Sequence, residues 1–132
     1  MQVRLSARTL MIVLLFSLFV SVGCNKKPLY QVNDGSFPPR ATAKVKRAIL
    51  DAGKSLGWRM ESKGAGRIQA TIAPRGHKAV VNIDYTGSRF TIKYVSSVDL
   101  HYENTASGEV IHKNYNNWVR RLENRIYLNL SE

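Results

Sequence analysis

The residues able to carry chemistry are few, and their spacing assembles none of them into a working set. Cys24 is the single cysteine, so no disulfide framework exists within the chain. The three histidines are His77, His101 and His112. A zinc site needs three or four ligands converging at about 2 Å. No His-x-x-x-His, second cysteine or tight carboxylate cluster accompanies these three, so no metal is expected. Glu103 and Glu109 flank the segment Asn-Thr-Ala-Ser-Gly, and Asp84 and Asp99 stand at strand ends. Glycoside hydrolysis needs two carboxyls about 5 to 9 Å apart across a cleft, for which a small sheet covered by helices leaves little room. Thr86-Gly87-Ser88-Arg89 lacks the Gly-x-Ser-x-Gly elbow of a serine nucleophile. Gly64-Ala65-Gly66 joins two strands rather than opening a helix onto a phosphate. The expectation is a protein without catalytic residues and without a cofactor.

Cys24 gains a use from what precedes it. Met1 to Arg8 is a short basic segment carrying Arg4 and Arg8, and an apolar run follows from Leu10 to Val22. A basic n-region, an apolar h-region and a small residue before the cut define a secretory signal. The run falls short of the roughly 20 residues that a membrane-spanning helix needs. Val20-Ser21-Val22-Gly23-Cys24 resembles the lipobox of bacterial lipoprotein precursors, matching at Gly23 and Cys24 and departing at Ser21, where leucine is commoner. The resemblance implies diacylglycerol on the Cys24 sulfur, cleavage before Cys24 and acylation of the new amino group, palmitate being a typical chain. Two or three acyl chains give stable anchoring at about 0.8 kcal/mol per buried methylene. Asn25 and Lys26 follow Cys24, with no aspartate to signal inner-membrane retention. The expected location is the cell envelope, on the periplasmic face of the outer membrane.

The chain has 132 residues and a formal net charge of +11. Setting aside Arg4 and Arg8 leaves 18 basic residues against 9 acids. Such an excess favours anionic surfaces, which after export means headgroups, lipopolysaccharide phosphates and the cell-wall glycopeptide. Nucleic acid is not expected as a partner. The domain reading is a signal peptide over 1–23, a lipidated cysteine and tether over 24–39, and one α+β domain over 40–132.

Stepping along the chain, Pro, Gly, Asn and Asp punctuate Asn25 to Pro39 without periodicity, as in a tether. Arg40 to Leu56 reads as an amphipathic helix. Val45, Ala48, Ile49, Ala52 and Leu56 share one apolar face, Lys44, Lys46, Arg47 and Lys54 cover the other, and Gly57 suits the C′ position. Four strand-like stretches follow, with apolar residues at every second position and short turns containing glycine. Ile68, Ala70 and Ile72, then Ala79, Val81, Ile83 and Tyr85, then Phe90, Ile92 and Tyr94 mark the buried parity. Ser96 to Gly108 reads as a polar connection. From about Val110 to Leu128, the spacing of Tyr115, Trp118, Val119, Leu122 and Ile126 predicts a second helix, with Arg120, Arg121, Asn124 and Arg125 on its wet side. The expected fold is α+β and two-layered: a four-stranded antiparallel meander with both helices packed on one face, in the order α-β-β-β-β-α.

The segment Ile111-His112-Lys113-Asn114-Tyr115-Asn116-Asn117-Trp118 is the most distinctive. With Gly57-Trp58 and the Tyr85 to Tyr94 hairpin, it resembles a group of small proteobacterial envelope lipoproteins with no assigned function. That resemblance spans about Arg40 to Ile126 and implies the fold without an activity. His112, Tyr115, Asn116 and Trp118 are the candidate motif residues. By spacing, Tyr115 and Trp118 belong to the core, whereas His112 and Asn116 lie one turn apart and suit a bond to a loop or strand end. The second candidate is the wet sheet face, where Arg67, Gln69, Thr71, Lys78, Asn82, Arg89, Thr91 and Lys93 should point one way as a shallow basic platform. Tyr85, Phe90 and Tyr94 fall on the opposite, core parity, which argues against base stacking. The leading expectation is a lipid-anchored, non-enzymatic module that binds or supports another envelope component. A binding module for an anionic polymer such as lipopolysaccharide or peptidoglycan comes second, and a cell-envelope enzyme third.

Overall fold

The computed structural model describes residues 25–132, so the export signal and the lipidation expected at Cys24 lie outside the described residues. Within them the order is β1 (Lys26–Pro28), β2 (Val32–Ser36), α1 (Thr42–Ser55), β3 (Arg59–Ser62), β4 (Arg67–Ile72), β5 (Lys78–Tyr85), β6 (Arg89–Val98), β7 (Glu103–Thr105), β8 (Gly108–His112) and α2 (Lys113–Leu130). The architecture is α+β, with two antiparallel sheets ordered β2-β6-β5-β4-β3 and β1-β8-β7.

The alternation of apolar and polar residues sets the larger sheet. Ile68 faces Ile83, which faces Ile92, and Ala70 faces Val81, which faces Tyr94, so one face carries an unbroken apolar grid. The buried stripes of both helices join it in a single core. Val45, Ile49 and Ala52 of α1 and Val119, Leu122 and Ile126 of α2 have no exposed surface there. Burying each such side chain stabilises the fold by roughly 1.5–3 kcal/mol. Tyr127 of α2 meets Phe90 edge-on at 5.2 Å, and Tyr115 meets Tyr94 at 5.7 Å.

The end of α1 is set by Gly57. With Gly57 at φ +85°, its N–H donates to the Lys54 carbonyl and the Trp58 N–H to the Gly53 carbonyl, closing a Schellman motif that drops Trp58 into the core. Gly53 has a packing reason of its own: a Cβ there would lie 2.1 Å from the Met60 sulfur, so the missing side chain is what lets α1 settle on β3.

Three sequence expectations are corrected. The sheet has five strands, not four, because β2 adds antiparallel to β6 beyond the expected meander of β3 to β6. Asn-Asp-Gly looks like a turn, yet here it is a bulged strand. Gly35 is needed because a Cβ would come within 2.9 Å of the Phe90 ring and carbonyl. The segment read as a tether is instead paired along much of its length, with β1 on β8 and β2 on β6. Finally, α2 begins at Lys113, because residues 108–112 extend as β8 and supply the partner for both β1 and β7. Leu100 reaches the core from a turn in which Asp99 and His101 both hold left-handed backbone, at φ 55° and 52°. Asp and His tolerate that region better than most residues.

Candidate functional site

The eight residues expected on the wet sheet face do share it. Strand register aligns Arg67, Asp84 and Thr91 in one row and Gln69, Asn82 and Lys93 in the next. Thr71 lies opposite Val80, Lys78 opposite Val98, and Arg89 opposite Ser36. The platform is, however, largely compensated. Arg67 grips Asp84 with both ends of its fork, Nε to Oδ1 at 2.6 Å and Nη2 to Oδ2 at 2.8 Å. That hydrogen bond holds the Asp84 carboxyl below the usual carboxylate range and raises the Arg67 guanidinium. Arg89 pairs with Asp34 at 3.1 Å, Lys63 pairs with Glu61 at 3.0 Å, and Lys93 donates to Asn33. Lys78 keeps its charge unpaired among the described residues. A face whose cations already hold neighbours offers little net charge to a polyanion.

The motif residues divide into several roles. Nδ1 of His112 accepts from the Asn114 N–H at 3.1 Å and so caps α2. Burial holds its pKa below the usual histidine value, helped by His101, Lys113 and His77 nearby, so the ring is kept in the neutral form that can accept this bond. Tyr115 is fully buried, its hydroxyl has no hydrogen-bond partner among the described residues, and burial pushes its pKa up. Asn116 is buried although its side chain is an amide. Its Oδ1 accepts from the Tyr30 N–H at 2.9 Å and its Nδ2 donates to the Pro28 carbonyl at 2.9 Å. Trp118 packs half-buried against the core.

Asn116 belongs to a clamp. Along α2, Asn116, Arg120 and Glu123 fall at i, i+4 and i+7, on one face. All three hold Tyr30: Asn116 bonds its backbone, Arg120 lies 3.8 Å over its ring, and Glu123 accepts from its hydroxyl at 2.5 Å. Gln31 and Leu29 continue the attachment, the first accepting from the Tyr94 N–H and the second donating to the Glu109 carbonyl. Even the Asn25 carbonyl is bound, by the Lys113 N–H at 2.9 Å. The fold is therefore tied down up to the residue that follows Cys24.

The unpaired cations collect elsewhere, where α1 and α2 meet. A groove of about 410 Å³ runs along α1, from Arg40 just before it to Ser55 at its end, against the last turns of α2. Arg40, Lys44, Arg47 and Arg125 line it, with Asp51 and Glu132 as its only acids, and none of the four cations has an ion-pair partner among the described residues. The Nε of Arg40 is buried without a hydrogen bond, a loss that costs roughly 1–3 kcal/mol when nothing offsets it. The floor is fixed. Asn129 donates to the Ala48 carbonyl at 3.0 Å and binds the helices together. The Arg40 N–H donates to the Gly87 carbonyl at 2.7 Å, and a Cβ on Gly87 would come 2.7 Å from the Arg40 carbonyl. The sequence pattern puts Lys44 and Arg47 on the wet face of one helix and Arg125 on that of the other. The available signal was the sparsity of acids on both faces, but only helix pairing brings Arg125 to Lys44.

Among the described residues no group of three or more His, Cys, Asp or Glu is arranged to hold a metal ion, and no helix is long and apolar enough to cross a membrane. No known protein family, curated protein or solved structure matches the chain. The resemblance to small envelope lipoproteins therefore rests on its motif residues alone.

Proposed function

We propose that this chain is a non-enzymatic lipoprotein of the bacterial envelope. It is exported by residues 1–23, acylated on Cys24 and held at the outer membrane facing the periplasm, where it binds another envelope component. The observation that carries this reading is the attachment of Asn25, through its carbonyl, to the first residue of α2. Asn25, the residue after the lipobox cysteine, is already bonded to the folded domain, which supports a lipid held close to that domain rather than at the end of a long tether. Replacing Cys24 by Ala tests it. Membrane fractionation with palmitate labelling should show loss of label and retention of the uncleaved precursor. Labelled or mature-sized protein from the variant would end the lipoprotein reading.

The reading of the bound component as anionic is favoured over an uncharged protein interface by a specific feature: the four cations lining the helix groove have no ion-pair partner among the described residues. Binding through such charges weakens steeply as salt rises, because the screening length shrinks from about 10 Å at 0.1 M to about 3 Å at 1 M. Association that survives 1 M salt unchanged would instead favour an apolar protein contact.

A further inference from the structure

The basic excess of this protein is divided unequally between its two surfaces. On the sheet face Arg67, Arg89 and Lys63 are each within salt-bridge distance of a carboxylate. In the helix groove Arg40, Lys44, Arg47 and Arg125 face one another with only Asp51 and Glu132 among them. Like charges gathered around a concavity raise the local concentration of anions. Counting side chains, four cations against two acids leave an excess of two positive charges. A phosphomonoester carries about −1.5 to −2 at neutral pH, whereas a single carboxylate supplies only half of that. Arginine also matches the geometry, since its planar fork takes phosphoryl oxygens in pairs while lysine serves as a point charge. The volume of about 410 Å³ falls within the range of small-ligand sites. Arg40 adds a second line of evidence: a buried Nε donor with no partner, on a residue whose backbone is pinned to the β5–β6 turn.

We propose that the groove between α1 and α2 is a phosphate-binding site, in which Arg40, Arg47 and Arg125 hold phosphoryl oxygens of an envelope phosphoester and Lys44 adds charge. The site stands on the geometry of the folded chain; only the assignment of its ligand to the envelope rests on the lipoprotein reading. Its position bears on the ligand's source. The Asn25 attachment is at the start of α2 and Arg125 is twelve residues further, so about 18 Å of helix separates anchor from groove at 1.5 Å per residue. The same phosphomonoester is carried by a lipid headgroup such as that of phosphatidic acid and by a free phosphorylated small molecule, and the two are separable by experiment.

The test uses the full chain as cells produce it. Calorimetry with inorganic pyrophosphate probes the free ligand, with malonate as the dicarboxylate control. Co-sedimentation with vesicles of phosphatidic acid in phosphatidylcholine, against phosphatidylcholine alone, probes the headgroup. The groove variant combines Arg40→Gln, Arg47→Gln and Arg125→Gln. The control removes equal charge from the sheet face, by Lys78→Gln, Arg89→Gln and Lys93→Gln. The groove variant should lose at least tenfold in affinity, and the control less than twofold. Pyrophosphate binding with this pattern assigns a free phosphoester, and vesicle binding alone assigns a headgroup. Equal losses in both variants, malonate bound as tightly as pyrophosphate, or binding of neither probe would overturn the site. If the triple variant fails to fold, the exposed pair Lys44→Gln and Arg125→Gln replaces it with the same criteria. Because the readout needs no membrane targeting, its failure leaves the Cys24→Ala result intact, and the reverse also holds.

Discussion

Two adjacent residues at the start of α2, Tyr115 and Asn116, are both buried and polar, and they should respond to substitution in opposite ways. Asn116 bonds two backbone groups, the Tyr30 N–H and the Pro28 carbonyl, both in a part-buried setting. Asn116→Ala removes both bonds, each worth roughly 0.5–1.5 kcal/mol, and leaves the half-buried Tyr30 N–H without its acceptor. The variant should lose about 2 kcal/mol or more in urea denaturation, and hydrogen exchange should accelerate at Leu29 to Gln31. Tyr115, by contrast, buries a hydroxyl that has no partner among the described residues. Tyr115→Phe keeps the ring against Tyr94 and removes the stranded group, so stability should hold or rise by up to about 1 kcal/mol. A loss in Tyr115→Phe would mean that the hydroxyl is satisfied, for instance by an ordered water. Spacing alone marked Tyr115 and Trp118 as core and suggested a strand-end bond for Asn116. The identity of that strand end was not legible, because Pro28 lies 88 residues away in a segment that shows no periodicity.

At the scale of elements, one-sided burial explains what could be read. A strand or helix with one wet and one dry face writes its period into the sequence, and β4, β5, β6 and both helices do so. β1 and β2 write none. Each is short, and each is held by pairing to a strand far along the chain rather than by an apolar stripe of its own. The contact between α1 and β3 is a further case, where a glycine normally weakens a helix by about 1 kcal/mol. Gly53→Ala should gain that propensity in an open helix. Here the new methyl meets the half-buried Met60 side chain from Cγ outward, which must turn out of its packed position, and such forced repacking costs about 1–3 kcal/mol. The single substitution should therefore destabilise. Met60→Ala empties the space, so adding Gly53→Ala to that background should be neutral or favourable. Thermal unfolding of the two singles and the double gives a coupling energy expected to exceed about 1 kcal/mol, since touching residues are not additive. Additive effects would show that α1 moves away from β3 instead of clashing with it.

For the whole molecule, the division of charge carries a cost in stability. Sequence reading had assigned the basic platform to the sheet, because the alternation of Arg67, Gln69, Lys78 and Lys93 with core residues is visible in one dimension. The acids that compensate the sheet, Asp84 and Asp34, sit across a strand pair, and the cations that gather at the groove come from two helices; neither arrangement is written in local spacing. A surface that holds unpaired like charges together for a ligand repels itself when the ligand is absent. Lys44 stands one helical turn before Arg47 and shares the groove with Arg40 and Arg125. Like charges at that spacing destabilise a helix by roughly 0.2–0.5 kcal/mol. Lys44→Gln should accordingly raise the melting temperature at low ionic strength, by roughly 1–3 °C for a domain of this size. Arg67→Gln breaks the pairing with Asp84 and should lower it under the same conditions. Both differences should shrink towards zero near 1 M salt, where the screening length is about 3 Å. Adding pyrophosphate at low salt should reverse the order of Lys44→Gln and the unaltered protein, because a ligand that binds only the folded state stabilises whichever form holds it more tightly. A groove cation whose removal lowers stability at every salt concentration would mark those side chains as packing residues, and the unpaired charge would then have no functional meaning.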